Sequence, residues 1–428
     1  MSDPALHIKD SYYFDVPKFM WRSDRTSREQ FPDWWVRLDD DYQAWEAGKL
    51  YDALIALPAP KPEELKAAAE KAKGKTTTAE AGPEALLPIP GKEKLLGEYE
   101  HWKHANHANA GVPFGRFLTK DPAQKWFAQR MECPSWAADW KQAERKTVEF
   151  KEYQGEWGKE KLTAYNKQLN GKVLIPQPLG RPKNLYESAE GFLISKFMII
   201  ELVVALIVAA LFIRLAGKIS KGDRARGRLA NLFEAFLVFI RDQVARPAIG
   251  KHDADRFLPL LWTIFLFVLG CNLFGMLPWA GAPTAAFGVT LALAGVTLAT
   301  VFISGMFKFG VLGFWKNLIP HMDLPWYMAI VIIPPLFIIE VGGLLIKHGV
   351  LAVRLLANMV AGHLVLLGVM GLALVAAELS TASWAGIATA SILGSAAFSI
   401  LELFVAFLQA FVFTMLSALF IGAAVHHH

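Results

Sequence analysis

From Phe192 to Val425 the chain carries five apolar stretches, each long enough to cross a hydrocarbon core of about 30 Å as a helix. Nothing else in the sequence limits the fold so tightly, because backbone in lipid must satisfy its own N–H and C=O groups. Up to Asn184 the chain is different: charged, Lys/Glu-rich, with nine Trp and no apolar run near that length. The change falls near Tyr186 and divides the chain into a soluble, mostly helical N-terminal extension, residues 1–185, and a membrane domain, residues 186–428.

The soluble half reads as helices joined by linkers. Asp33 to Leu57 places apolar residues near 3.6 spacing, and Lys61 to Lys73 opens with Pro followed by strong helix formers. Asp139 to Gln168 is a third candidate, offering Trp140, Val148, Phe150 and Tyr153 for packing. The Pro/Gly/Thr-rich runs near 74–92 and 172–184 read as linkers, the second a tether to the membrane. Aromatic density of this kind means small packed cores or a protein interface.

Several chemistries are excluded. His101, His104 and His107 recur at three-residue steps with no carboxylate or Cys to complete a set, and there is no C-x-x-C pair, so neither a metal nor another cofactor is expected. Cys133 and Cys271 fall in different halves, which argues against a disulfide. The net charge of +5 is too modest to suggest a nucleic-acid partner. The opening MSDPALHIKDSYYF has neither a basic n-region nor an apolar h-region, so no cleaved signal is expected.

In the membrane half, Phe192 to Leu215 is the first span, and Leu229 to Val244 reads as an amphipathic helix lying on the membrane surface. Phe257 to Pro278 and Ala285 to Phe307 form a hairpin around the short WAGAPT turn. The segment Arg214 to Arg256 holds ten basic residues against five acids, and Lys308 and Lys316 follow the third span, while the WAGAPT and STASWAG turns hold none. These basic loops are therefore expected to face the cytoplasm, which puts the N-terminal half on the other side. Trp326 to Ala377 and Ala385 to Val425 are two or more bilayer thicknesses long as helices, so each either breaks or tilts steeply. Pro334-Pro335 and Gly342-Gly343 offer breaks in the first; for the second, tilt is the better reading.

Ionisable groups are few in the last 100 residues, and each costs a few kcal/mol at mid-bilayer unless it has a partner, water or a function. Glu340, Lys347 and Arg354 are seven apart, and Asn358 follows Arg354 by four, so all lie along one helical stripe. His363, nine residues beyond Arg354, points to the opposite side. On the final helix Glu402 and Gln409 share a face. If the two helices run antiparallel, paired positions have a constant index sum; His363 with Glu402 gives 765 and Arg354 with Gln409 gives 763. Both centre on the STASW turn. Lys347 reads as an interfacial anchor and Glu378, beside the turn, as solvated.

RLLANMVAGH, Arg354 to His363, resembles the signature of subunit a of F-type ATP synthases, and the resemblance extends from about Phe192 to Val425. FLVFIRDQVARPAIG, NLFGMLP, FIIEVGGLLIKHGV and FLQAFVFTMLS carry it further, in the right order. It implies an all-α membrane fold: a transmembrane span, a hairpin and two long tilted helices forming an antiparallel pair, after a mainly helical soluble domain. It implies a non-catalytic stator subunit of a bacterial inner membrane, with a rotor ring of c subunits, peripheral stalk b-type subunits and other ATP synthase subunits as partners beside the lipid bilayer. Arg354 is then the essential stator arginine and Asn358 its neighbour, while Glu340, His363, Glu402 and Gln409 match positions assigned to two aqueous half-channels. The order of His363 and Glu402 is exchanged relative to many bacterial relatives, and His348 stands where many have Pro.

Two rival classes leave different marks. A secondary transporter or ion channel using Arg354 as its binding charge predicts internal repeats, and none is visible. A membrane-embedded enzyme using His363 and Glu402 as acid and base lacks any accompanying nucleophile or metal motif.

Overall fold

The computed structural model describes residues 9–16, 24–73, 86–106, 109–147, 150–219, 228–277, 280–317, 326–375 and 381–425. The chain divides into two compact units, Ser11–Ile194 and Ser195–His428 with Met1–Asp10.

The first unit is mostly helical: α1 (Asp33–Val36), α2 (Asp40–Ala56), α3 (Pro62–Lys73), α4 (Lys92–Ala105), α5 (Phe114–Lys120), α6 (Lys125–Met131), α7 (Pro134–Thr147) and α8 (Lys159–Leu169). The single helix expected over Asp33 to Leu57 is two, because Asp39 takes an extended conformation and its carboxylate caps the Asp41 and Tyr42 amides. The helix expected over Asp139 to Gln168 is also two, separated by a 3-10 turn at Phe150–Glu152 and by Gly158, the residue before α8. Residues 172–184, expected to be a tether, instead form β2 (Lys172–Leu174), paired antiparallel with β1 (Tyr13–Asp15), and β3 (Gly180–Pro182), paired with β4 (Ser188–Gly191). Proline tolerates such two-stranded edges, where half the N–H groups need no ladder partner. Most of the other linker, residues 74–85, lies outside the described residues.

Aromatic side chains make this unit's cores. Trp126, Phe127, Trp136 and Trp140 pack with Tyr99, Phe114 and Phe117, while Trp34, Trp35, Tyr42, Tyr153 and Trp157 form a second cluster. Lost contact with water drives both, at about 25 cal/mol per Å² of apolar surface.

The second unit contains α9 (Lys196–Ile219), α10 (Arg228–Phe239), a π-helical stretch (Ile240–Ala245), α11 (Arg246–Ile249), α12 (Ala254–Gly275), α13 (Phe287–Phe309), α14 (Val311–Asn317), α15 (Trp326–Val375) and α16 (Thr381–Val425). Five of these are long and apolar enough to cross a membrane, the last two over 41 and 42 residues. The amphipathic segment packs its apolar face on the bundle: Phe236 meets Phe265 and Phe407, Phe239 meets Phe411, and the Trp262 indole donates to the Leu237 carbonyl. Gly422 lets α16 touch α11, since a Cβ there would lie 2.1 Å from the Ala248 carbonyl oxygen.

The fifty residues of α15 run unbroken through Pro334, Pro335, Gly342 and Gly343. Proline fixes a helical φ and forfeits one hydrogen bond, which a long, well-packed helix survives. His348 does not interrupt it either: its Nδ1 lies 2.8 Å from the Leu344 carbonyl oxygen, one turn back, and its ring packs on Phe420. Each apolar length is about twice the hydrocarbon thickness, so both helices cross steeply tilted.

Candidate functional site between the two long helices

Polar residues on α15 and α16 meet at three levels, and descending numbers on one against ascending numbers on the other make the pair antiparallel. The Ser391 hydroxyl donates to the Val369 carbonyl at 2.5 Å. Next, His363 Nδ1 stands 3.5 Å from Glu402 Oε1, with both side chains buried. At the third level the Asn358 amide donates to Gln409 Oε1 at 2.5 Å.

The register read from the index sums thus brings His363 and Glu402 together. Its other half put Arg354 level with Gln409 without requiring contact; the residue Gln409 meets is Asn358, one turn beyond Arg354, because helix faces and not level alone decide contact. At 3.5 Å His363 Nδ1 and Glu402 Oε1 are within ion-pair distance without forming a hydrogen bond to each other. Glu402 lies close over Gly362, where an added Cβ would sit 3.0 Å from Oε1. Glu402 Oε1 and Gln409 Nε2 are sealed from solvent and have no hydrogen-bond partner among the described residues. Such groups cost about 1–3 kcal/mol each when left unsatisfied.

Arg354 behaves differently. It sits mid-way along α15 on the exposed side, and no carboxylate or carbonyl among the described residues takes its five N–H donors. Its neighbours Leu351 and Leu355 are buried in the bundle, whereas Arg354 itself is exposed. Glu340 is fourteen residues earlier, about 21 Å along the helix, half-exposed and not brought to Arg354. Lys347 is exposed, while Glu378 lies outside the described residues.

Two further groups join this set. The Asn272 amide on α12 donates to the Ala406 carbonyl at 3.1 Å and accepts the Thr284 hydroxyl at 2.9 Å, all buried. Ala406 is one turn from Glu402. Glu201 lies on the buried stripe of α9 formed by Phe197, Val204 and Val208, with Oε1 sealed and without a hydrogen-bond partner among the described residues. Next to it Val204 fills the space over Gly270 of α12. The signal for both was in the sequence: Asn272 interrupts an apolar run, and Glu201 is the one acid in the first span.

Fold and site together define an all-helical membrane protein whose longest helix pair encloses ionisable groups and presents one arginine outward. Residues 198–422 match the ATP synthase A chain family. The chain belongs to that family. It is 40% identical over 206 residues to ATP synthase subunit a of Myxococcus xanthus, a stretch covering 47% of this chain and 64% of that protein. The subunit a of Anaeromyxobacter dehalogenans strain 2CP-1 is 42% identical over 203 residues, 47% of this chain and 50% of that one. ATP synthase subunit a 2 of Chlorobaculum tepidum is 39% identical over 210 residues, 49% and 56% respectively. The matched region thus spans about half to two thirds of these relatives.

Proposed function

We propose that the chain is the non-catalytic, proton-conducting stator subunit of a bacterial F-type ATP synthase, set against a rotor ring of c subunits and held by peripheral-stalk b-type subunits. Its place is the bacterial inner membrane, with the N-terminal unit on the non-cytoplasmic side. The observation that carries the reading is Arg354: a charge in the middle of a membrane helix, exposed, with no acceptor among the described residues of its own chain. Such a charge is costly in lipid and requires an acceptor from outside.

A carboxylate on a passing rotor meets that requirement. An arginine side chain stays protonated in proteins, so it favours the ionised form of the carboxylate yet cannot itself carry the proton across. The other polar groups flank it on both sides along α15. His363 and Glu402, backed by Asn272 and Glu201, line one aqueous half-channel; Glu340 lines the other. Asn358 and Gln409 brace the helices beside the arginine. A proton arriving by one half-channel neutralises the rotor carboxylate, which can then face lipid, and it leaves by the other after the ring has turned. His363 relays protons because imidazole exchanges them near neutral pH. The membrane potential supplies about 2.3 kcal/mol per charge per 100 mV to drive the turn.

Inverted membrane vesicles containing the assembled complex test this. Arg354→Ala is expected to abolish ATP-driven proton pumping while the ring still co-purifies with the chain. Pumping at the unmodified rate would remove the reading.

A further inference from the structure

The first unit holds its own polar cavity, which the membrane chemistry does not use. Two lobes of about 600 and about 770 Å³ share Arg37, Glu46, Arg116, Arg145, Arg181 and Glu190 as walls. That is the size range of small-molecule sites.

Some of these charges are spoken for. Arg181 binds the buried Glu46 at 2.9 Å, and Arg116 binds Glu190 at 2.7 Å. Others are not. Arg37 lies over the Phe150 ring at 5.2 Å and the Tyr42 ring at 5.8 Å, within cation–π range of both. Neither Arg37 nor Arg145 has an ion-pair partner among the described residues, and Lys141 adds a third cation to the first lobe. Against them stand Asp33, exposed beside the second lobe, and Glu144. Glu144 occupies a built slot: a Cβ on Gly115 would come within 2.0 Å of its Oε1. Burial, and then the Glu190 carboxylate, holds the Glu144 carboxyl above the usual carboxylate range. Arg37 is half-buried and Arg145 and Lys141 are exposed, so all three are open to an anion entering the cavity, and cations without salt bridges around a concave polar site mark a place where one can be held.

We propose that this cavity binds a small dianion, a phosphate monoester or a dicarboxylate, held between the Arg37 and Arg145 guanidiniums, with Glu144 receiving a hydroxyl or amine of the same molecule. Charge-assisted hydrogen bonds from a planar guanidinium suit both kinds of anion.

Isothermal titration of the full-length chain in detergent, at fixed ionic strength, uses inorganic phosphate and succinate as probes. Saturable binding of one equivalent of either probe is expected, and whichever binds tighter identifies the source of the dianion. Arg145→Gln, an exposed position whose replacement leaves the fold intact, weakens that binding at least tenfold; Arg37→Gln does the same, and the remote Lys49→Gln leaves it unchanged. Failure of both probes to saturate, or equal affinity in Arg145→Gln and the unmodified chain, overturns the proposal.

Discussion

The two units use buried charge in opposite ways. In the N-terminal unit Glu46 is almost wholly enclosed and finds Arg181 at 2.9 Å in the same unit. Burial still holds the Glu46 carboxyl above its ordinary range, with Arg181 and then Arg37 pulling it back, so the pair is a compensated cost. In the membrane unit Arg354 is exposed on α15 and has no compensating carboxylate among the described residues. The contrast teaches where to look for partners: a charge satisfied within the chain supports the fold, and one left open in lipid belongs to an interface.

The comparison is most easily sharpened where the expected effect is largest. Trp140→Ala empties the centre of an aromatic core, where the ring packs on Phe127 and Trp136, and is expected to cost the N-terminal unit about 4 kcal/mol. Thermal unfolding followed by Trp fluorescence reads this, and proton pumping is expected to survive if the units divide their roles. Arg181→Met leaves Glu46 buried without its cation and costs about 3 kcal/mol by the same measurement. A negligible loss would mean that the pair is not the compensated unit described here.

Asn358→Leu removes the interhelical amide bond to Gln409 and is expected to cost about 1 kcal/mol, since such bonds in membranes are modest. Denaturation in mixed micelles provides the figure, and a loss above about 3 kcal/mol would place Asn358 in a larger network. The smallest effect is in pH. The folded Glu144 carboxyl is raised above its ordinary value of 4.5, so its stabilising contribution is full below that value and is lost as pH rises through the raised one. Glu144→Gln should flatten that part of the melting-temperature profile; an unchanged slope would contradict the assignment.

Much of this architecture was legible from residue order. Apolar length marks the spans, and the positions of His363 and Glu402 about the turn place them side by side, because an antiparallel pair has one free parameter. What escaped depended on particular side-chain and strand contacts that spacing does not show, one local and the others between distant segments. The break at Asp39 comes from a side chain capping its own backbone against a continuous apolar period. Residues 172–184 look like a tether until Tyr13–Asp15, some 160 positions away, supplies a strand to pair with. The level of Gln409 near Arg354 is readable from sequence, whereas the choice of contact between residues one turn apart, Asn358 here, depends on helix rotation. Glu201 and Asn272 are single polar residues within apolar runs, and sequence alone does not show which helices pack against them; the structure packs α9 and α16 on α12.

The central claim is that the acceptor for Arg354 lies on another chain. Electron cryo-microscopy of the intact complex, purified through this chain, measures it directly. The account predicts the guanidinium within about 4 Å of a rotor carboxylate, or joined to it through one water. A guanidinium turned back onto a group of its own chain, or facing lipid with no protein opposite, would contradict it.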